Sequence, residues 1–419
     1  MGSSDSMSEA SHVKKTVMLL GGSRHQVPAI ECAKRLGYRT VLCDYLPDNP
    51  GQYVADVFYQ ESTTDRELML EIARREHIDG ILSFGSDVAA PTASYVAEVL
   101  GLPCNPLKSV EILSEKNLFR PYMSSHGFNC PKSCSLAADS SAEEVVAAVE
   151  DMTLPMLLKP TDSSGSRGVS VLNDLSFPAV ENALEFAREF SRNGVLELEE
   201  FIKYGFPYLV GGDIFVAEGE VKFWGLMRCL RDKDLAALVP AGKAYPSGLA
   251  TKQIELLKAE VQKLVSSLNL SFGEMNLEVI MGPGDVPFIV ELGARAGGNM
   301  IPLQLQDISG IDLTEALVRY TVGEGPVDVS FDGGENCVTT IVLHARQTGR
   351  FERVEYDEKI ASHIYRELVY VSPGDHVEEF NYGAKALGVV FLKFESQAEM
   401  DAVLPEISKY VRVVVKEGI

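Results

Sequence analysis

Positive charge is what this chain has little of: 38 Lys and Arg stand against 60 Asp and Glu, a formal net charge of −22 over 419 residues. Nucleic acid is a poor partner for such a chain, because phosphate binding rests on Lys/Arg patches. Anionic membranes are disfavoured for the same reason. An anionic substrate would need a local basic pocket inside this negative field. Long apolar runs are missing too. Without a stretch of about 18 apolar residues, no transmembrane helix is expected. The start, Met1 to Met7, is small and polar and carries no signal-peptide pattern. The seven cysteines, Cys32, Cys43, Cys104, Cys130, Cys134, Cys229 and Cys337, are scattered and include no Cys-x-x-Cys. That supports neither a zinc ribbon nor a disulfide framework, and it points to reducing cytoplasm. Gly-x-Gly-x-x-Gly is also missing where a dinucleotide fold would place it. The first candidate turn is Gly21-Gly22-Ser23, which could hold an anion at a helix start, and Asp44 stands where a ribose acid would be expected.

What is present is ordinary globular composition, long enough for about two to four domains. The first hundred residues alternate strand and helix. Val17–Leu20, Thr40–Cys43 and Gly80–Ser83 read as strands, and segments around 30–36, 68–76 and 93–100 as helices, which predicts a parallel α/β domain. A helical unit begins at Ser114. A capping pattern from Asp139 starts the next helix, and Leu154–Lys159 is a strand. After a helix at about 178–190, Gly194–Ile202 is a strand. Strands at 212–216 and 221–226 follow, then a helix at 250–268. Beyond 330 the pattern is mostly β, with Cys337–His344 and Ala386–Lys393 as strands and a helix near 398–404.

The richest chemistry lies in Met275–Leu292. Two β-rich runs flank Gly282-Pro283-Gly284-Asp285 and read as a hairpin. A turn centred between Gly284 and Asp285 places Glu278 opposite Glu291 on one face, with Cβ atoms roughly 4.5–5.5 Å apart, where like charges repel. Two such carboxylates suit a divalent cation, and oxygen ligands suit Mg²⁺. Arg295 follows among small residues, Gly293 to Gly298, and can grip a carboxylate through a bidentate fork. Upstream, Lys159 closes a strand before Ser163, Ser164, Gly165, Ser166, Arg167 and Gly168, a loop able to fold over phosphates beside a compact positive charge. Lys116 is a second candidate phosphate ligand. Glu199, Glu200, Phe201 and Ile202 end a strand with two acids, an aromatic and an aliphatic, an apolar slot suited to a purine edge.

In that order and spacing the chain resembles the ATP-grasp superfamily, with good coverage over about residues 113–310. The resemblance implies an α/β and α+β multidomain protein: an N-terminal parallel α/β domain at 13–112, a two-lobed ATP-grasp core at 113–328 with a lid lobe at about 120–205, and a β-rich C-terminal domain at 329–419. It implies that Lys116 and Lys159 contact phosphate and that residues 163–168 form the mobile glycine-rich loop. The backbone of Glu199–Ile202 would read adenine. Glu278 and Glu291 would hold Mg²⁺, with Mn²⁺ as a substitute, and Arg295 would steady the substrate carboxylate and its phosphorylated form. Two positions depart from the pattern. Gly293 stands where an Asn metal ligand is usual, with Asn299 or water as the replacement. Pro207 stands near the usual ribose acid, and Asp213 is the nearest acid downstream. The implied activity is an ADP-forming ligation of a small amino acid or similar carboxylate to an amine through an acyl-phosphate. Its partners would be those small molecules and a second copy in a homodimer. A bicarbonate-activating enzyme of the biotin carboxylase type and a non-catalytic nucleotide-binding protein are the alternatives.

Overall fold

The computed structural model describes residues 14–163, 165–203 and 209–416. The N-terminal strands β1 (Thr16–Leu20), β2 (Arg39–Cys43), β3 (Val57–Tyr59) and β4 (Gly80–Leu82) form a parallel sheet in the order β3-β2-β1-β4. Strand side chains alternate faces, and both faces here are covered. Val17 and Leu19 pack with helix α1 (Val27–Arg35). Met18 and Leu20 pack with α2 (Arg66–Arg75) and α3 (Ala90–Leu100). A strand buried on both faces needs an unbroken apolar run, and β1 is one, Thr-Val-Met-Leu-Leu.

Helices α4 (Leu107–Ser114) and α5 (Lys116–Ser125) lead into a small antiparallel sheet of β5 (Ser133–Ala137), β6 (Met156–Pro160), β7 (Ser170–Leu172) and β8 (Val195–Glu200), ordered β5-β8-β6-β7. It buries its own core, Val145, Leu158, Leu184 and Leu198 among others, against α6 (Ala142–Ala148) and α7 (Phe177–Arg188). Ser141 and Glu144 make the capping box that starts α6.

The third sheet is nine-stranded. The core supplies β9 (Leu209–Ala217), β10 (Glu220–Trp224), β11 (Met227–Asp232), β12 (Ala236–Tyr245), β13 (Phe272–Gly282) and β14 (Val286–Gly293). The chain beyond 330 adds β15 (Cys337–Leu343), β17 (Ile364–Val369) and β19 (Gly388–Phe394), while β16 (Gly349–Tyr356), β18 (His376–Val377) and β20 (Val411–Lys416) form a separate three-stranded sheet. The large sheet runs β14-β13-β9-β11-β12-β15-β19-β17, so one continuous sheet crosses residues 328 and 329 through the β12–β15 pairing. On one face, Val210, Ile214, Met275, Leu277 and Val279 pack with α5 and α8 (Thr251–Ser267). On the other, Phe215 and Met227 pack with α9 (Ile301–Ser309) and α10 (Leu313–Thr321), and the same cluster continues into the N-terminal domain. The sequence pattern marks no element over 227–245 or 301–321. Charges interrupt β11 and β12, and α9 and α10 are short helices whose apolar residues are divided between the large sheet and the N-terminal domain. Among the described residues, no helix is long and apolar enough to cross a membrane.

Candidate functional site

Strands β13 and β14 pair antiparallel, and Glu278 opposes Glu291. The turn differs in detail from the expected one. Gly282 pairs with Val286, so the loop is the three residues 283–285, centred on Gly284 at φ 76°. That register alone would set Glu278 opposite Val290. A bulge between Glu278 and Val279 takes up one extra residue on β14 and restores the glutamate pair.

The two glutamates have different surroundings. Glu278 lies 3.5 Å from the ammonium of Lys243 and 3.8 Å from Arg231. Burial would raise its pKa, but these cations hold it below the ordinary glutamate value. Lys243 sits on β12 and reaches Glu278 over β9. Gly211, directly opposite Glu278, makes that reach possible: a Cβ there would stand 2.8 Å from the Lys243 Nζ. Glu291 is raised instead, by burial and by the charges of Asp87 and Glu278, which outweigh Lys116 and Arg295. Among the described residues, no three His, Cys, Asp or Glu side chains gather as an all-protein metal cage. Mg²⁺ needs none, since it binds through one or two carboxylates plus water and phosphate oxygens. A cation at Glu291 would offset the charges of Asp87 and Glu278 that bear on it, so the donor set fits.

Arg295 is not an open fork. Its Nε and Nη2 each donate to Asp87 over 2.7 Å, and Nη1 donates to the Ala296 carbonyl over 3.0 Å. Asp87 comes from the loop after β4 in the N-terminal domain. The Arg295 guanidinium, working against burial, pulls its carboxyl below the ordinary aspartate value. Gly293 leaves the room for this contact: a Cβ there would stand 2.9 Å from Asp87 Oδ1 and 3.4 Å from the Arg295 guanidinium. The missing side chain at 293 is thus matched by an incoming one from another domain.

Lys116 opens α5 and donates to the Ser163 carbonyl over 2.8 Å. It lines a cavity of about 300 Å³ together with Asp87, Ser163 and Glu291. The loop that follows is tied at several points. Ser163 donates to Arg167 O, Ser166 to Leu238 O, and Gly383 N–H to Gly165 O. Gly168, at φ 70°, packs against Pro160. Ser164 lies outside the described residues, as does Pro207. Lys159 and Arg120 both hold Glu199: Arg120 Nε donates over 2.8 Å, and the Lys159 ammonium forms a shorter contact. All three are almost fully buried. Burial, with Arg120 and Lys116, brings Lys159 down to about 8 against the pull of Glu199. Despite burial, the two cations bring Glu199 down to about 2. The Glu199 side chain is therefore a buried counter-charge. Glu200 accepts from Thr153 N and Oγ1, and the N–H groups of Glu200 and Phe201 are spent on Lys132 O and Pro155 O. Ile202 follows, partly buried, just past the end of β8.

Several other residues serve the architecture. The Asp44 carboxylate accepts from Gly22 N (2.7 Å) and Leu46 N (2.9 Å), so the first turn closes on its own side chains, and the anion and ribose readings there are not supported. Asp213 is fully buried and accepts from Asn276 and from Gly297 N, which pins the loop after β14, so it is no ribose contact. Asn299 adopts φ 50° ahead of α9. Arg228 pairs with Asp401 of α12 (Gln397–Val403). Sequence reasoning misses Asp87, Arg120, Arg231 and Lys243. Only Asp87 carried a signal: an acid just past the carboxyl end of a parallel strand is where α/β sheets place ligands.

No protein-family model matches the chain. It is 24% identical over 293 residues to the carbamoyl phosphate synthase large chain of Thermotoga petrophila, a match spanning 68% of this chain and 25% of that one. The chain thus spans about a quarter of that relative's length. Among solved structures, the L-amino acid ligase of Bacillus licheniformis superposes with a TM-score of 0.79 at 18% identity, over 96% of this chain and 99% of that one. The biotin carboxylase domain of the Hydrogenobacter thermophilus 2-oxoglutarate carboxylase, solved with MgADP and bicarbonate, gives 0.71 at 17% identity over 96% and 91%. The chain shares the fold of these two structures, and its site motifs stand in the order that carries the resemblance to the ATP-grasp superfamily.

Proposed function

We propose that this protein is an ATP-dependent, ADP-forming ligase that joins a small carboxylic acid to an amine through an acyl-phosphate. The observation that carries this reading is the facing pair Glu278 and Glu291, ringed by Lys116, Lys243, Arg231 and Arg295. Phosphoryl transfer asks mainly for alignment and charge neutralisation. Glu278 and Glu291 would hold Mg²⁺, or Mn²⁺ in its place, which shields the phosphates when bound. Lys116 and Lys159 would contact phosphate from α5 and from the end of β6. Residues 163–168 would close over it and keep water from the acyl-phosphate. The segment Glu199–Ile202, at the end of β8, would flank the base. The carboxylate oxygen attacks the terminal phosphorus, ADP leaves, and the amine then displaces phosphate.

The test is product analysis with purified protein, ATP and Mg²⁺ against a panel of amino acids, small acids and amines. ADP and phosphate should appear together and only when an acid is present. Stoichiometric AMP and pyrophosphate would overturn the mechanism.

Lys159 adds a pH expectation. Its folded-state pKa of about 8 lies below the ordinary lysine value, so folding favours the neutral form and stability rises with pH from about 8 upward. Phosphate binding needs the charged form. The KM for ATP should therefore climb above pH 8 while the melting temperature does not fall. The groups facing Lys159 are Glu199, Arg120, Lys116 and, across the strand pair, Glu197. Lys159→Arg, charged throughout, should flatten that alkaline limb. An unchanged limb would assign it to another group.

A further inference from the structure

We propose that the Asp87–Arg295 pair selects a zwitterion: an amino acid that exchanges into the pair, its carboxylate taking the Arg295 fork and its ammonium taking Asp87. The inference rests on the ligase reading and names the substrate class for it.

The pair is closed as it stands. Both donors that make Arg295 a bidentate fork are spent on Asp87 at 2.7 Å, and Arg295 is only 9% exposed. A plain carboxylic acid could take the fork only by expelling Asp87. That would leave an anion stranded in the site beside Glu291, whose pKa Asp87 already raises. An uncompensated buried charge costs more than one charge-assisted hydrogen bond returns. An amino acid avoids the penalty, because it brings one charge for each partner it separates. Space and surroundings agree. Asp87 lines the cavity of about 300 Å³ with Lys116 and Glu291, at the small end of ligand sites. Val88, Leu113 and Phe119 on the same wall offer apolar surface for a substrate side chain. Gly293 has no side chain to hinder the exchange. Formate or bicarbonate offers no cation to Asp87 and is disfavoured by the same reasoning.

The experiment is equilibrium binding to the full chain without nucleotide, by calorimetry. The twenty amino acids are followed, for each one bound, by its deamino acid and its decarboxylated amine. The amino acid should bind about tenfold or more tighter than either fragment. Asp87→Asn should abolish that preference, weakening the amino acid while the deamino acid binds as well or better on the freed Arg295. Asp87→Asn combined with Arg295→Gln, which leaves neither charge unpaired, should bind neither, and its melting curve checks the fold. Equal wild-type affinity for amino acid and deamino acid overturns the proposal. So does an Asp87→Asn variant that keeps the ratio, or a folded wild type that binds no amino acid. The ligase reading fails separately: an amino acid bound with the expected preference but releasing no ADP with ATP and any amine removes the ligase and leaves the zwitterion site standing.

Discussion

Replacing Glu291 or Glu278 with glutamine should stop ATP turnover in both cases, yet move stability in opposite directions. Turnover should fall roughly 10²-fold or more, the scale on which one preorganised charge acts in a catalytic site. The stability split follows from their neighbours. Glu291 is pushed up by burial, Asp87 and Glu278, so removing its charge relieves repulsion, and the melting temperature should hold or rise. Glu278 is pulled down by Lys243 and Arg231. Its glutamine variant leaves Lys243 buried, with Cys229 Sγ at 2.8 Å as its remaining close partner. That variant should melt lower, by a few kcal/mol at most, because Glu278 is itself 20% exposed to water. Thermal melts and Mg²⁺-dependent ADP release on both variants decide the matter. Wild-type turnover by either would remove that residue from the metal site, and a destabilised Glu291→Gln would show that the repulsion had been misjudged.

Glu199→Gln should be the most destabilising single change, at about 3–5 kcal/mol, the usual result of breaking a buried ion pair from one side. It strands Arg120 and Lys159 together in a nearly dry site. The damage should spread, because Arg120 also donates to Val290 O over 3.1 Å, at the bulge that sets Glu291 in register. An early unfolding transition in urea, assigned to the β5–β8 sheet by hydrogen exchange, is the expected readout. Arg120→Met with Glu199→Leu should recover much of the loss, since it removes one of the two stranded cations, burial favours the neutral form of Lys159, and apolar side chains can fill a buried ionic site at little cost. That variant should still fail to bind ATP. A single Glu199→Gln protein as stable as wild type would mean that solvent reaches the triad.

The sequence by itself determined whatever rests on short-range spacing. The apolar run Val17–Leu20 specified a strand buried on both faces. Ser141 and Glu144 stand three apart, the spacing of a capping box. The period of two in a strand put Glu278 and Glu291 on one face once a short turn was assumed. Even there the agreement was partly compensation, because an odd loop and a one-residue bulge sum to the register of an even loop. Tertiary structure decided which charges meet. Asp87 and Arg295 are 208 residues apart, and Arg120 and Glu199 are 79 apart. Lys243 reaches Glu278 across β9 and β11, which lie between their strands, only because Gly211 leaves the way open. No local periodicity carries such information. The order of strands in a sheet and the docking of one domain on another come from burying apolar faces that belong to the whole chain. Isolated in sequence, Arg295 was a free fork awaiting a carboxylate; in the folded protein that carboxylate is already supplied from another domain.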